Sequence, residues 1–296
     1  MEACLAIDIG GTKLAAGLVS RSGVVLARGR VPTPGGDDPE TVFGAVVPLV
    51  GDLLEGAAGA GVDAVVVCGV GCGGPMDLGP GTVSPLNIPA WRRFPLRDRL
   101  EALTGLGVAL DNDAKALALA EGWRGAAQGR ADYLAMVVST GVGGGIVSGG
   151  RLLQGATGNA GHIGHVIVEP EGRRCGCGAR GCLEAEASGI AIAAVTGGPP
   201  AEAPPEVVAR TGRLVGRAVA SVVSLLDLDL AVVAGSVALG FGPPFFAAAN
   251  QELTERARLS FSAGARIVPG ALGPDGPVVG AGAVGWRALG DTVAAP

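Results

Sequence analysis

The sequence predicts an α/β protein made of two related halves. Short apolar runs that read as strands alternate with longer runs of helical pattern. The unit strand, glycine turn, strand occurs twice at equal length, over 5–20 and 134–149. A chain of 296 residues, 48% hydrophobic, suits one large or two medium domains.

Taken in order, 3–9 and 14–20 read as strands joined at Asp8-Ile9-Gly10-Gly11-Thr12-Lys13, and 24–30 as a third. Glycines at such a tip let bare N–H groups approach an anion, and Thr12 adds a hydroxyl donor. Asp8 ends a buried strand, where a carboxylate is costly without a partner. Mg²⁺ would serve, directly or through water; so would a backbone bond in an ordinary turn. A helix is expected over 39–59 and a strand over 63–70. The stretch 79–91 reads as a long ordered loop, a type that often carries function. After a short helix at 96–103, a strand at 108–110 runs into Asp111-Asn112-Asp113 and a helix over 114–130. Asn112 or Asp113 could cap that helix. Asp113 could instead be a general base at the carboxyl end of a strand, where α/β sheets place ligands. A strand at 133–138, the turn Ser139-Thr140-Gly141-Val142-Gly143-Gly144-Gly145 and a strand at 146–148 echo the first hairpin. Two such tips facing each other over a cleft would grip a polyphosphate from both sides. Later come a helix over 205–226, a strand over 230–234 ending in Gly235-Ser236-Val237, helices over 243–258 and 277–289, and a strand over 265–268. The last few residues are expected to fray.

The stretch from Gly161 to Glu184 concentrates both histidines and three of the six cysteines. His165, Cys175, Cys177 and Cys182 suit a tetrahedral Zn²⁺, and a Cys₃His set with no vacant position is structural. Gly176, Gly178 and Gly181 allow a tight wrap around a small ion. A disulfide or inert thiols are the alternative, but nothing points to an oxidising compartment. Cys4, Cys68 and Cys72 lie in or beside apolar runs and read as buried thiols.

A net charge of -5 and a pI of about 5.1 argue against a nucleic-acid groove. No basic segment precedes an apolar run at the start, and no run approaches the ~18 apolar residues of a membrane span. The expectation is a cytoplasmic protein with no membrane or nucleic-acid partner.

Together these residues resemble the ROK family of sugar kinases and repressors, within the actin–hexokinase superfamily. The likeness covers nearly the whole chain. Asp8–Lys13 is similar to the first phosphate loop, Ser139–Gly145 to the second and Val233–Val237 to the adenosine turn. Ser84-Pro85-Leu86-Asn87-Ile88-Pro89-Ala90-Trp91 resembles the sugar-side loop, and Asp111–Asp113 the catalytic segment. The most diagnostic match is His165-x9-Cys175-x-Cys177-x4-Cys182-x-Glu184. The resemblance implies an actin-like ATPase (ribonuclease H-like) fold of two α/β domains with an inter-domain cleft. The first would span 1–111 with the C-terminal helix 281–296, and the second 112–280. It implies Asp113 as general base and Asn87, Asn112, His162, His165 and Glu184 around the sugar. Asp8, Gly10, Gly11, Thr12, Lys13, Thr140, Gly141, Gly143, Gly235 and Ser236 would hold ATP and Mg²⁺. His165 and the three cysteines would hold structural Zn²⁺, and the enzyme would be a homodimer.

The implied activity is phosphorylation of a hexose at its 6-hydroxyl, with glucose first. One departure bears on the sugar. The family usually reads Gly-Glu-Ile-Gly-His where this chain has Gly161-His162-Ile163-Gly164-His165. A carboxylate only accepts hydrogen bonds, whereas an imidazole also donates. His162 could therefore suit an amino or N-acetylamino hexose, or it could point elsewhere. A sugar-responsive repressor is the distant alternative. It would need ~60 or more residues of helix-turn-helix ahead of the first phosphate loop, and here Asp8 arrives almost at once.

Overall fold

The structure, a computed structural model, describes residues 1–291 and 293. The expected fraying of the last residues falls largely outside that range. The fold is mixed α/β, and the chain divides into two compact units. The first holds Met1–Arg124, Gln154–Ala160 and the C-terminal stretch from Pro274; the second holds Gly125–Leu153 and Gly161–Gly273. The 112–124 stretch thus belongs with the first unit.

The first unit opens with β1 (Glu2–Ile9), β2 (Lys13–Ser20) and β3 (Val25–Pro32), an antiparallel meander. Helix α1 (Pro39–Glu55) starts at Asp38, whose carboxylate accepts from the N–H groups of Glu40 and Thr41 at 3.1 and 3.2 Å. It ends at Gly56, short of the expected 59. Strand β4 (Ala64–Cys72) follows, parallel to β1. The 79–91 loop is more ordered than its composition implies. It contains the second strand of a two-residue hairpin, β5 (Met76–Asp77) with β6 (Thr82–Val83). Trp91 is buried, stacks on Phe94 at 4.3 Å and donates from Nε1 to the Pro39 carbonyl. Helix α2 (Leu96–Thr104), strand β7 (Val108–Asn112) and helix α3 (Asp113–Arg124) complete this part. The sheet order is β3-β2-β1-β4-β7, with β7 parallel to β4. Side chains of β1, β2, α1 and α2, among them Leu5, Ile7, Leu18, Val46, Leu96 and Leu100, form its main core.

The second unit repeats the plan. Strands β8 (Tyr133–Val138), β9 (Val142–Ser148) and β10 (Arg151–Leu152) are antiparallel neighbours. Helices α4 (Leu183–Ala187), α5 (Gly189–Thr196) and α6 (Pro205–Leu226) come next, then β11 (Leu230–Ala234), α7 (Ser236–Phe241), α8 (Pro243–Arg256) and β12 (Arg266–Pro269). The order is β10-β9-β8-β11-β12, with β11 parallel to both β8 and β12. Along α6, Thr211, Leu214, Val215, Ala218, Val219, Val222 and Val223 are buried, the helical spacing of one apolar face.

The last helix, α9 (Gly276–Ala288), returns to the first unit and packs on β1, β4 and α3. Here backbone meets backbone. A Cβ on Gly69 of β4 would sit 2.0 Å from the Ala281 carbonyl oxygen and 2.5 Å from the Gly285 nitrogen, so no side chain fits. Trp286 is fully buried and donates to the Val19 carbonyl at 3.1 Å. Among the described residues no helix is long and apolar enough to cross a membrane.

Candidate functional site

In the first unit the candidate residues gather at the carboxyl ends of β1, β4 and β7. Asp8 pairs in register with Gly71 of β4, and Cys72 with Asn112 of β7. Asp8 is buried, and its carboxyl pKa is raised to about 7. Burial is the main cause, the Asp113 carboxylate adds to it, and Lys13 opposes both. Gly71 lies between the two acids: a Cβ there would be 3.5 Å from the Asp113 Cα and 3.8 Å from an Asp8 oxygen. The tip beyond Asp8 is closed by the Gly10 N–H on the Lys13 carbonyl at 3.1 Å, with Thr12 and Lys13 exposed. The exposed Asn87 side chain packs within 2.7 Å of where a Cβ on Gly11 would stand.

The capping expected at the strand-to-helix step falls to Asn112. Asn112 Oδ1 accepts from the N–H groups of Ala114 and Lys115 at 3.1 and 3.4 Å, so Asn112 caps α3. Asp113 is half-buried and bonds the Ala114 N–H through Oδ1 at 2.8 Å.

Beneath this step lies a group that the sequence reading passed over. Lys115 is fully buried, its Nζ 2.8 Å from Asp111 Oδ1 and 2.8 Å from the Gly158 carbonyl, and bonded to Gln154 Oε1. Gln154 donates in turn to Asp111 Oδ2 at 3.3 Å. Asn159 pairs with both the N–H and the carbonyl of Met76. These bonds hold the 154–160 segment in the first unit. The only sequence signal was an acid and a base four residues apart, a pattern that usually marks an exposed helix face.

In the second unit the tip is smaller than expected. Gly143, Gly144 and Gly145 do not extend the turn. They are β9 residues paired with Val137, Met136 and Ala135. Glycine is needed at 144 for packing, since a Cβ there would lie 2.8 Å from Ile163. The turn is Ser139–Gly141, with Thr140 exposed. Ser139 and Ser236 share a hydroxyl bond of 2.9 Å, which brings the Gly235-Ser236 turn to this tip. Gly235 has φ 100°, and α7, absent from the sequence reading, begins directly after it.

Glu184 lies in the first turn of α4. Its Oε2 accepts from the Val142 N–H at 2.9 Å and would be 2.7 Å from a Cβ on Gly141. Glu186, two residues on, is buried yet gives up its proton more readily than an ordinary glutamate. Burial alone would raise its pKa, yet bonds from the Arg173 N–H and the Arg210 guanidinium bring it below the usual range.

The four soft ligands converge. One ligand atom from each of His165, Cys175, Cys177 and Cys182 lies within 4.8 Å of all the others. His165 Nδ1 is 3.6 Å from Cys175 Sγ, and Cys177 Sγ is 3.7 Å from Cys182 Sγ. The second distance is far beyond the ~2.05 Å of a disulfide, and all six cysteines are free. Four donors around a tetrahedral Zn²⁺, with Zn–S of ~2.3 Å, are about 3.8 Å apart, so this donor set fits that ion. Gly178 and Gly181 take positive φ in the turn between the cysteines. His162 is half-buried; its ring centroid is 6.1 Å from that of His165, the planes 20° apart.

Two sheets, each an antiparallel hairpin followed by parallel strands, with glycine tips and acids at strand ends, define the actin-like ATPase fold. The ROK family description matches residues 4–286. The chain belongs to the ROK family. An N-acetylmannosamine kinase of Escherichia fergusonii is 40% identical over 253 residues, 80% of this chain and 84% of that protein. The ROK hexokinase of Thermus thermophilus superposes with a TM-score of 0.81 at 36% identity, covering 98% of this chain and 99% of the other. A Streptomyces griseus ROK glucokinase, solved with glucose and AMPPNP, gives a TM-score of 0.84 at 30% identity, covering 96% and 99%.

Proposed function

We propose that this ROK protein is an ATP-dependent kinase that phosphorylates the 6-hydroxyl of an N-acetylamino hexose of the N-acetylmannosamine type. The observation that carries the choice of sugar is His162 beside His165, where the family usually has Glu. An imidazole can donate to the acetamido carbonyl, which a carboxylate cannot. The 40% identity to N-acetylmannosamine kinase supports the same choice over the glucose first expected. Glucose is the second reading, supported by the likeness to the hexokinase and glucokinase structures.

In this reading Asp113 takes the proton from the sugar hydroxyl as its oxygen attacks the γ-phosphorus and ADP leaves. Such a transfer asks the protein for position and charge neutralisation more than covalent help. Asn87, Asn112, His162, His165 and Glu184 bind the sugar. Asp8 would hold Mg²⁺, which neutralises phosphate charge when bound. Gly10–Lys13, Thr140, Gly141 and Gly143 contact phosphates, and Gly235-Ser236 the adenosine. His165, Cys175, Cys177 and Cys182 would hold Zn²⁺, which supplies order to the loop and no chemistry. The family resemblance extends the proposal to a cytoplasmic homodimer.

The test is a coupled ADP-release assay with ATP, Mg²⁺ and a panel of N-acetylmannosamine, N-acetylglucosamine, mannosamine, mannose and glucose. N-acetylmannosamine is expected to exceed glucose in kcat/KM by about tenfold or more, the value of one good polar contact. A preference for glucose would hand the assignment to the second reading.

A further inference from the structure

We infer that Glu186 is a positioning residue: clamped by Arg173 and Arg210, it fixes the rotation of α4 and so the place of the Glu184 carboxylate. The inference rests on the reading above that Glu184 binds the sugar.

Helix α4 has five residues, too few to hold itself by its own hydrogen bonds. At 100° per residue, positions 184 and 186 project about 200° apart. Turning the helix on its axis therefore moves both. One side is held where Glu184 meets the Val142 N–H. The other is held by Glu186, only 3% exposed. Its Oε1 accepts from the Arg173 N–H at 2.7 Å and its Oε2 from Arg210 Nη2 at 2.7 Å, with Arg173 Nη2 at 3.6 Å. A Cβ on Gly172 would be 2.4 Å from Oε1, so the loop comes this close only with glycine there.

The guanidinium groups also reach main-chain carbonyls around the end of the helix. Arg210 Nη1 donates to the Glu186 carbonyl at 3.2 Å, and Arg173 Nη1 to those of Ala191 and Ala185 at 3.2 and 3.4 Å. Arg173 is on the loop that bears Cys175, and Arg210 is on α6. Three elements are thus tied to one carboxylate without using a metal ligand. A cavity of about 140 Å³ borders the clamp, lined by Arg173, Glu186, Arg210 and Ile192 among others. It leaves room for the side chains to swing once the clamp is broken.

The experiment compares Glu186→Gln and Arg210→Met with Glu184→Gln in the full-length protein. It measures KM for N-acetylmannosamine, KM for ATP, kcat and bound zinc. Glu186→Gln is expected to raise the sugar KM about tenfold, within the loss that misplacement of a positioning group can cause. Turnover, KM for ATP and zinc content should stay within about twofold of the parent. An unchanged sugar KM with a lowered Tm would make the clamp a stability feature only and overturn the proposal. So would parallel loss of kcat and of ATP affinity. If Glu186→Gln does not fold, Arg210→Met decides, because it leaves Glu186 with Arg173; an unchanged KM there also overturns it. If Glu184→Gln leaves the sugar KM unaltered, the sugar-binding reading of Glu184 fails and the clamp falls with it. If only Glu184→Gln raises KM, the reading survives and the clamp alone fails.

Discussion

Asp113 and Asp8 occupy one strand-end corner but differ in their surroundings. Asp113 is half-buried at the start of a helix that Asn112 already caps. Asp113→Asn should therefore keep the fold while turnover drops roughly 10²-fold or more, the scale of general-base catalysis. Near-normal turnover would remove Asp113 from the proposed role. For Asp8 the folded pKa of about 7 lies above the ordinary aspartate value of 3.8. Between those values the unfolded chain has lost the proton and the folded chain keeps it. Stability then falls as pH rises from about 4 to about 7, by on the order of 4 kcal/mol in metal-free protein. Asp8→Asn should remove this loss. Its Tm relative to the parent should climb with pH and level off above about 7; a constant difference would contradict the burial argument.

At the scale of elements, the first hairpin was readable because its glycines sit at a true turn. The second was misread at its edge. Gly143–Gly145 are strand residues of β9, where Gly144 serves close packing, and composition cannot separate that use from a turn. The helix expected to reach 130 stops at Arg124, just before Gly125. The cysteine cluster was legible because its donor types are rare and close in sequence. Lys115 was not, since a buried cation and an exposed one look alike until its partners at 154 and 158 are known from the fold. The loop that carries the soft ligands has almost no regular structure, and its short backbone bonds include Cys175 N–H to the Ala179 carbonyl at 2.8 Å. Cys177→Ser should lower zinc content by metal analysis and lower Tm, with a rise in sugar KM through loss of order in the loop. Full zinc content in that variant would exclude the four-donor site.

On the scale of the whole molecule, the α/β class and the duplicated hairpin plan were visible from periodicity alone. The return of the C-terminal helix to the first unit was an expectation of the family resemblance and not of periodicity, and the return at 154–160 was not foreseen at all. Such returns depend on contacts between residues far apart in sequence, which no local pattern records. The contact of Gly69 with Gly285 is the sharpest case. Deleting residues from Gly276 onward should strip one face of the β1–β4 sheet. Limited proteolysis should then cut within 1–124 while the 161–273 region stays protected; equal resistance of both would deny α9 this covering role.

The same helix reverses the order in which the polypeptide can mature on a ribosome. All strands and helices of the second unit leave the exit tunnel before α9 does, so the half translated first must wait for the last piece of its core. Until then the apolar flank that α9 will cover stays open to chaperones and to aggregation.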